Sequence, residues 1–251
     1  MSPRLQITIL GSGGGVPSGT RETACILVRH DERALLLDLG TGARRLVTNP
    51  GYLDGVGHLD VVLTHFHLDH VWGVPYLGML PVTATIWAPG AWMYGRSSAA
   101  ILEPLRRPPI APTDVTDVSP VEELRLGDQV VGGFAIRTGP QPRHWAPSVG
   151  LRIDDELAVV TDTPYEASSA PLAAGVRHLL HEAWSSSRAP VYPERDATAA
   201  DAARVAREAD VATLVLIHLS PTLRDLSVLL EDAVPIFDRV VLGEDELVLG
   251  V

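Results

Sequence analysis

The sequence predicts an α/β fold in which two mixed sheets carry helices on their outer faces. Three observations lead there. Apolar runs of strand length recur along all 251 residues, helix-forming segments stand between them, and several runs follow closely enough to pair as hairpins. The first runs, 5–10, 24–28, 34–37 and 61–63, are separated by turn residues. Later ones fall at 83–88, 130–138, 149–153, 157–161, 177–180, 213–217, 239–242 and 247–251. The clearest helix is 198–209, alanine-rich and made of good helix formers. Others are expected at 223–237 and at 71–80, the last interrupted by Gly73 and Pro75.

No repeat or linker divides the chain, so residues 1–251 are expected to form a single domain with a large core. The Pro-dense stretch 103–113 reads as a surface loop, with a semi-rigid flap as the alternative. The lone Cys25 cannot form an internal disulfide and suits a buried strand. The opening apolar run is too short for a signal peptide, and no later run reaches the length of a membrane span. A cytoplasmic protein with no membrane partner is the expectation. The formal net charge is −11, and all 20 basic residues are arginine. Without a basic block, nucleic acid is disfavoured as a partner, and a small-molecule substrate is expected.

Residues 64–70 read Thr-His-Phe-His-Leu-Asp-His, directly after the apolar Val61-Val62-Leu63. In an extended segment alternate side chains project to one side, so His65, His67 and Asp69 can converge on a point, with His70 opening the next element. Buried against a strand, such a set needs a partner for its lone pairs and charge, and a divalent cation supplies one. Imidazole mixed with carboxylate, without cysteine, suits zinc or iron with an open coordination position. That arrangement points to catalysis. His30, His58 and His178 stand alone and read as packed or surface histidines.

The loop Gly11-Ser-Gly-Gly-Gly-Val-Pro17 fails as a dinucleotide fingerprint: Val16 stands where a third glycine is needed, and another strand follows instead of a helix. It reads as a flexible strand-to-strand loop whose amides border the active site. Three further candidates, His144, Asp162 and His218, fall at strand ends in Arg-His-Trp, Val-Val-Thr-Asp and Leu-Ile-His-Leu-Ser.

This ordered set resembles the metallo-β-lactamase superfamily, and more narrowly its ribonuclease Z-like branch. The opening Ile9-Leu-Gly-Ser-Gly-Gly-Gly-Val-Pro, Asp162-Thr, His181-Glu-Ala-Trp, the 198–203 segment and Ile217-His-Leu-Ser look like that branch as well. The resemblance implies a four-layer αββα sandwich with two zinc ions per chain, manganese or iron being alternatives. His65, His67 and His144 would hold the first ion, Asp69, His70 and His218 the second, and Asp162 would bridge them. A hydroxide between the metals would be the nucleophile, with Asp69 orienting it. Relatives are often homodimers, which makes a homodimer the expected assembly.

Two departures shape the expected substrate. Members that mature tRNA carry a protruding arm between the third histidine and the bridging aspartate, whereas His144 and Asp162 lie 18 positions apart. With the acidic charge, this predicts that the protein is not a tRNA 3′-processing nuclease. The family histidine thought to protonate the leaving group is replaced by Asp196, while its supporting Glu182 is retained. Glu182 and Asp196 are therefore the candidate acids, with His181 as a substitute. A carboxylic acid donates well only when its pKa is raised, which favours leaving groups needing little protonation. Trp72, Trp145 and Trp184 are expected to line an apolar mouth.

The expected activity is a dinuclear zinc hydrolase of a small organic ester, either a phosphodiester or an acyl ester or thioester. The alternative is a non-heme iron oxygenase or oxidoreductase of the same fold. Diiron relatives generally carry Glu at the position of His67 and an attached electron carrier, and the chain has neither. A degenerate binding module is disfavoured because all seven expected ligands are present.

Overall fold

The computed structural model describes residues 5–250. Positions 1–4 of the opening run and Val251 of the last predicted strand lie outside the described residues.

The first half builds β1 (Gln6–Gly11), β2 (Cys25–His30), β3 (Arg33–Leu37), β4 (His58–Val62), β5 (Thr83–Ala88) and β6 (Val121–Glu123), with helices α1 (Arg44–Thr48), α2 (Leu68–Val71), α3 (Gly90–Tyr94) and α4 (Ser98–Arg106). The second builds β7 (Gly127–Val131), β8 (Phe134–Gln141), β9 (Ser148–Ile153), β10 (Leu157–Val160), β11 (His178–Glu182), β12 (Thr213–Ile217) and β13 (Val240–Leu242), with α5 (Ser169–Ala173), α6 (Ala199–Glu208) and α7 (Ser227–Ala233). The last strand, β14 (Val248–Leu249), returns to the first sheet. The sheet orders are β14-β1-β2-β3-β4-β5-β6 and β13-β12-β11-β10-β9-β8-β7.

Period-two patterning explains the layers. In β3, Leu35 and Leu37 join the core between the sheets, while Ala34 and Leu36 join the core beneath the helices of the first half. In β12, Val215 and Ile217 face inward, while Leu214 and Leu216 pack with the alanines of α6. Strands covered on both faces read as continuous apolar runs, which is why the sequence reveals them. The result is the expected αββα sandwich. Helix α6 begins where predicted, because Thr198 and Asp201 form a reciprocal capping box.

Three expectations are corrected. The run 130–138 is two strands, since Gly132 and Gly133, with φ of 57° and 81°, form a two-residue hairpin turn pairing Val131 with Phe134. The segment 71–80 is the end of α2 followed by a 3-10 turn at Val74–Met79, the break falling at Gly73 and Pro75. The Pro-dense loop begins inside α4, and none of its residues lines the cavity at the metal motif, so it provides no flap there. Among the described residues, no helix is long and apolar enough to cross a membrane.

Topology positions the chemistry. Strands β3 to β6 run parallel, as do β10 to β13. Carboxyl ends of parallel neighbours share an edge, the usual position of a site in open α/β sheets. Strand β11 also buries His181, whose Nδ1 donates to the Glu182 carbonyl at 2.8 Å while Nε2 has no partner among the described residues. Burial pushes His181 down to about 4. Because the unfolded chain takes up this proton near pH 6.5 and the folded chain only near 4, acid destabilises the fold across that window, by roughly 3 kcal/mol. Urea midpoints measured from pH 7 to pH 4 should fall less steeply for His181→Gln than for the parent chain.

Candidate metal centre

Site residues sit immediately after strand ends, and three hold a conformation that L residues avoid. Asp38 follows β3, Asp162 lies two residues beyond β10, and His218 follows β12, with φ of 59°, 54° and 51°. Left-handed backbone costs a non-glycine residue about 1–2 kcal/mol, although Asp and His tolerate it better than most. In each case it turns the chain sharply at the sheet edge. Such outliers are a recognised mark of functional positions.

All seven ligand candidates come together. Potential ligand atoms of His65, His67, His144 and Asp162 lie within 4.8 Å of one another, as do those of Asp69, His70 and His218. Asp162 joins the groups: its Oδ1 is 3.6 Å from His65 Nε2 and 3.3 Å from His144 Nε2, and its Oδ2 is 3.1 Å from His70 Nε2.

Four of the histidines are held from behind through Nδ1. Asp38 Oδ2 accepts from His70 at 2.8 Å, Glu182 Oε1 faces His218 Nδ1 at 3.1 Å, and His144 Nδ1 donates to the Arg195 carbonyl at 3.0 Å with Asp196 Oδ1 beside it, also at 3.0 Å. Thr64 Oγ1 donates to Asp38 and so accepts from His65 Nδ1 at 3.1 Å. With Nδ1 as donor, each Nε2 presents a lone pair to the centre. His70 Nε2 and His218 Nε2 then oppose each other at 3.2 Å, flanked by Asp69 and Asp162. His65 Nε2 is buried without a hydrogen-bond partner among the described residues. A nest of lone pairs and carboxylates lacking donors fits divalent cations.

The electrostatics express the same convergence. Burial alone would push His70 and His218 down, but Asp162, Asp69 and the carboxylates behind them outweigh it and hold both well up. Burial opposes ionisation of Asp162, yet His218, His70 and His65 keep it far below the carboxylate range. Asp69 behaves likewise through His70 and His218. Burial pushes Glu182 up to about 7 against the pull of His218. Protons held in the cluster are those that a cation would displace.

A cavity of about 170 Å³ opens over the cluster, lined by Asp69, His144, Asp162, His218 and Asp196 together with Trp145, Trp184 and Tyr192. Trp72 lines an adjoining cleft, so the three predicted tryptophans all border the site, on two sides. Glu182 is fully buried, and its Oε2 accepts from the amides of Thr163 and Ala197. His181 is buried on the helix side of β11 and does not line the cavity over the cluster. A larger concavity of about 620 Å³ lies by β7 and β8, far from these ligands.

Sequence reasoning missed Asp38, Thr64 and the arrangement of Tyr192 and Arg195. Asp38 carries a readable signal, an Asp directly after an apolar strand, the same pattern that revealed Asp162. The glycine loop borders the site as expected: Gly15 donates its amide to Asp69 Oδ2 at 2.7 Å. A Cβ on Gly14 would stand 2.4 Å from Cε1 of His218 and 2.6 Å from both ring nitrogens. Gly14→Ala should therefore displace that imidazole and weaken zinc binding on the order of 10- to 100-fold, measured by competition with a chromogenic chelator. Unchanged affinity would count against His218 as a ligand.

Comparison with known proteins agrees with this geometry. Residues 18–218 match the family described as the Metallo-beta-lactamase superfamily. The Ribonuclease Z of Methanopyrus kandleri is 28% identical over 291 aligned positions, covering 100% of this chain and 99% of that protein. The metallo-beta-lactamase fold protein YhfI from Bacillus subtilis superposes with a TM-score of 0.82 at 20% identity, covering 99% of this chain and 100% of that one. The short form of human tRNase Z gives 0.70 at 19% identity, covering 97% and 98%. These relatives overturn two expectations, the exclusion of tRNA 3′ processing and of nucleic acid as a partner. The short connector and the acidic total were weak grounds for either. Net charge is a sum over the chain, and Asp38, Asp69, Asp162, Glu182 and Asp196 all lie in the cluster, where cations would offset them. The chain belongs to the metallo-β-lactamase superfamily and is a metal-dependent hydrolase.

Proposed function

We propose that the chain is a two-zinc phosphodiesterase that cleaves RNA in the manner of the ribonuclease Z enzymes. The observation that carries this reading is the set of lone pairs and carboxylates converging at one sheet edge, in a chain matched end to end by a relative named Ribonuclease Z. His65, His67 and His144 would hold one ion, Asp69, His70 and His218 the other, with Asp162 shared. Bound there, the cations supply an acidified water and offset charge building on phosphorus.

The chain's own groups then have distinct tasks. Asp69, fixed through Oδ2 by the Gly15 amide, borders the cavity and is placed to orient a water and accept its proton. Glu182, with both oxygens engaged away from the cavity, is a positioning group for His218. Asp196 borders the cavity as well as approaching His144 Nδ1, so it helps to hold that imidazole and is the candidate to protonate a departing oxygen.

Metal analysis should find two zinc ions per chain, and Asp162→Ala should lose at least one together with at least 100-fold of activity. Activity is measured on a transfer-RNA precursor with a 3′ trailer and on bis(p-nitrophenyl) phosphate. A zinc-loaded chain that cleaves neither, or an Asp162→Ala chain with full metal and full activity, overturns the proposal.

A further inference from the structure

The wall of the cavity beside His144 is an aromatic surface largely open to solvent. Trp145 is 60% exposed and Tyr192 is 55% exposed, although both are large rings. Their centroids lie 5.7 Å apart at an interplanar angle of 82°. Arg195 holds its guanidinium over the indole, 5.1 Å from the centroid. Both rings border the cavity over the ligand cluster.

This wall is built. Arg195 Nη1 donates to the carbonyls of Arg143 and His144 at 3.1 and 3.3 Å, which fixes the guanidinium against one face of the indole. The Tyr192 carbonyl accepts from the amides of Arg195 and Asp196 at 2.8 and 2.9 Å, and Tyr192 has a φ of 51°. A tight turn with a strained non-glycine residue holds the rings in place before any ligand arrives, which lowers the ordering cost of binding. Trp184 differs. It lies against His218, with ring centroids 5.7 Å apart, and is committed to the site floor. Trp145 adjoins His144 in sequence and lines the same cavity as His144 and Asp162, so a group stacked on it lies beside the ligand cluster.

We propose that Trp145, with Tyr192 and Arg195, forms a nucleobase-stacking subsite that binds the base next to the scissile phosphate. An exposed indole with a cation on one face offers a flat π surface that accepts any base, and a guanidinium beside it favours a neighbouring phosphate. The subsite rests on the reading of the chain as an RNA phosphodiesterase, and it assigns substrate grip to a wall that lacks any protruding arm.

The test compares an RNA substrate with the same RNA made abasic next to the cleaved bond, and with methyl p-nitrophenyl phosphate, which has no base. Trp145→Ala should lower kcat/KM on the intact RNA about tenfold, mainly through KM, and lower it by a clearly smaller factor on the abasic RNA and the small diester. Trp145→Phe should restore most of the loss. In metal-free protein, a dinucleotide should quench tryptophan fluorescence, and Trp145→Ala should abolish that quenching. Equal losses on intact and abasic RNA, or quenching that survives Trp145→Ala, would overturn the subsite. A parent chain inactive on every phosphodiester would overturn the functional reading instead, and the quenching titration would still decide the platform.

Discussion

Everything at the active edge follows from one constraint: imidazole lone pairs and carboxylates are crowded together in a dry place. His70 Nε2 and His218 Nε2 face each other at 3.2 Å, with Asp162 Oδ2 3.1 Å from the former. Acceptors at such distances repel unless a proton or a cation stands between them. The surrounding protein increases the demand, because Asp38, Thr64, Glu182 and Asp196 occupy the rear nitrogens and leave only the front ones for metal.

The fold meets this constraint by a repeated device. Parallel strands deliver their carboxyl ends to one edge, and a left-handed residue there turns the backbone sharply. Asp38, Asp162 and His218 all use it. The strain is sustained by the layered core behind, where both faces of the strands are covered. Backbone ties add precision: Val149 donates to the Thr64 carbonyl at 3.1 Å, and Gly14 to that of Leu219 at 3.1 Å.

Much of this was legible in the sequence, for physical reasons that also explain the gaps. Strands buried on two faces are long apolar runs, so β3, β10 and β12 could be placed by eye, whereas β4, with His58 and Asp60 in it, showed only its last residues. The β7–β8 hairpin was missed because apolar residues continue on both sides of Gly132-Gly133, and the pair was not given its weight as a turn. Short helices such as α1 and α3 carry too few residues for a period to show. At the site, His65 to His70 announce themselves by density, and His144, Asp162 and His218 by their strand ends. Asp38 carries the same strand-end signal as Asp162, but it stands behind the ligands as the partner of His70 Nδ1, a place that no spacing reveals. The roles of Glu182 and Asp196 could not be read, because spacing indicates neighbourhood and says nothing about which atom faces which. Charge misled for the same reason: a total of −11 does not reveal that part of it is gathered in one pocket.

The cluster draws on both halves of the chain. Asp38, His65 and His70 follow strands of the first sheet, while His144, Asp162 and His218 follow strands of the second. Metal bound between them would act as a cross-brace on the sandwich, linking residues as far apart as His70 and His218, 148 positions distant. Like any tie that closes a long loop, such a brace restricts the open ensemble, and its stabilisation grows with free metal concentration. The edge that performs the chemistry is thus also the clasp of the two sheets. Metal supply would set how tightly the molecule is shut as well as how fast it works.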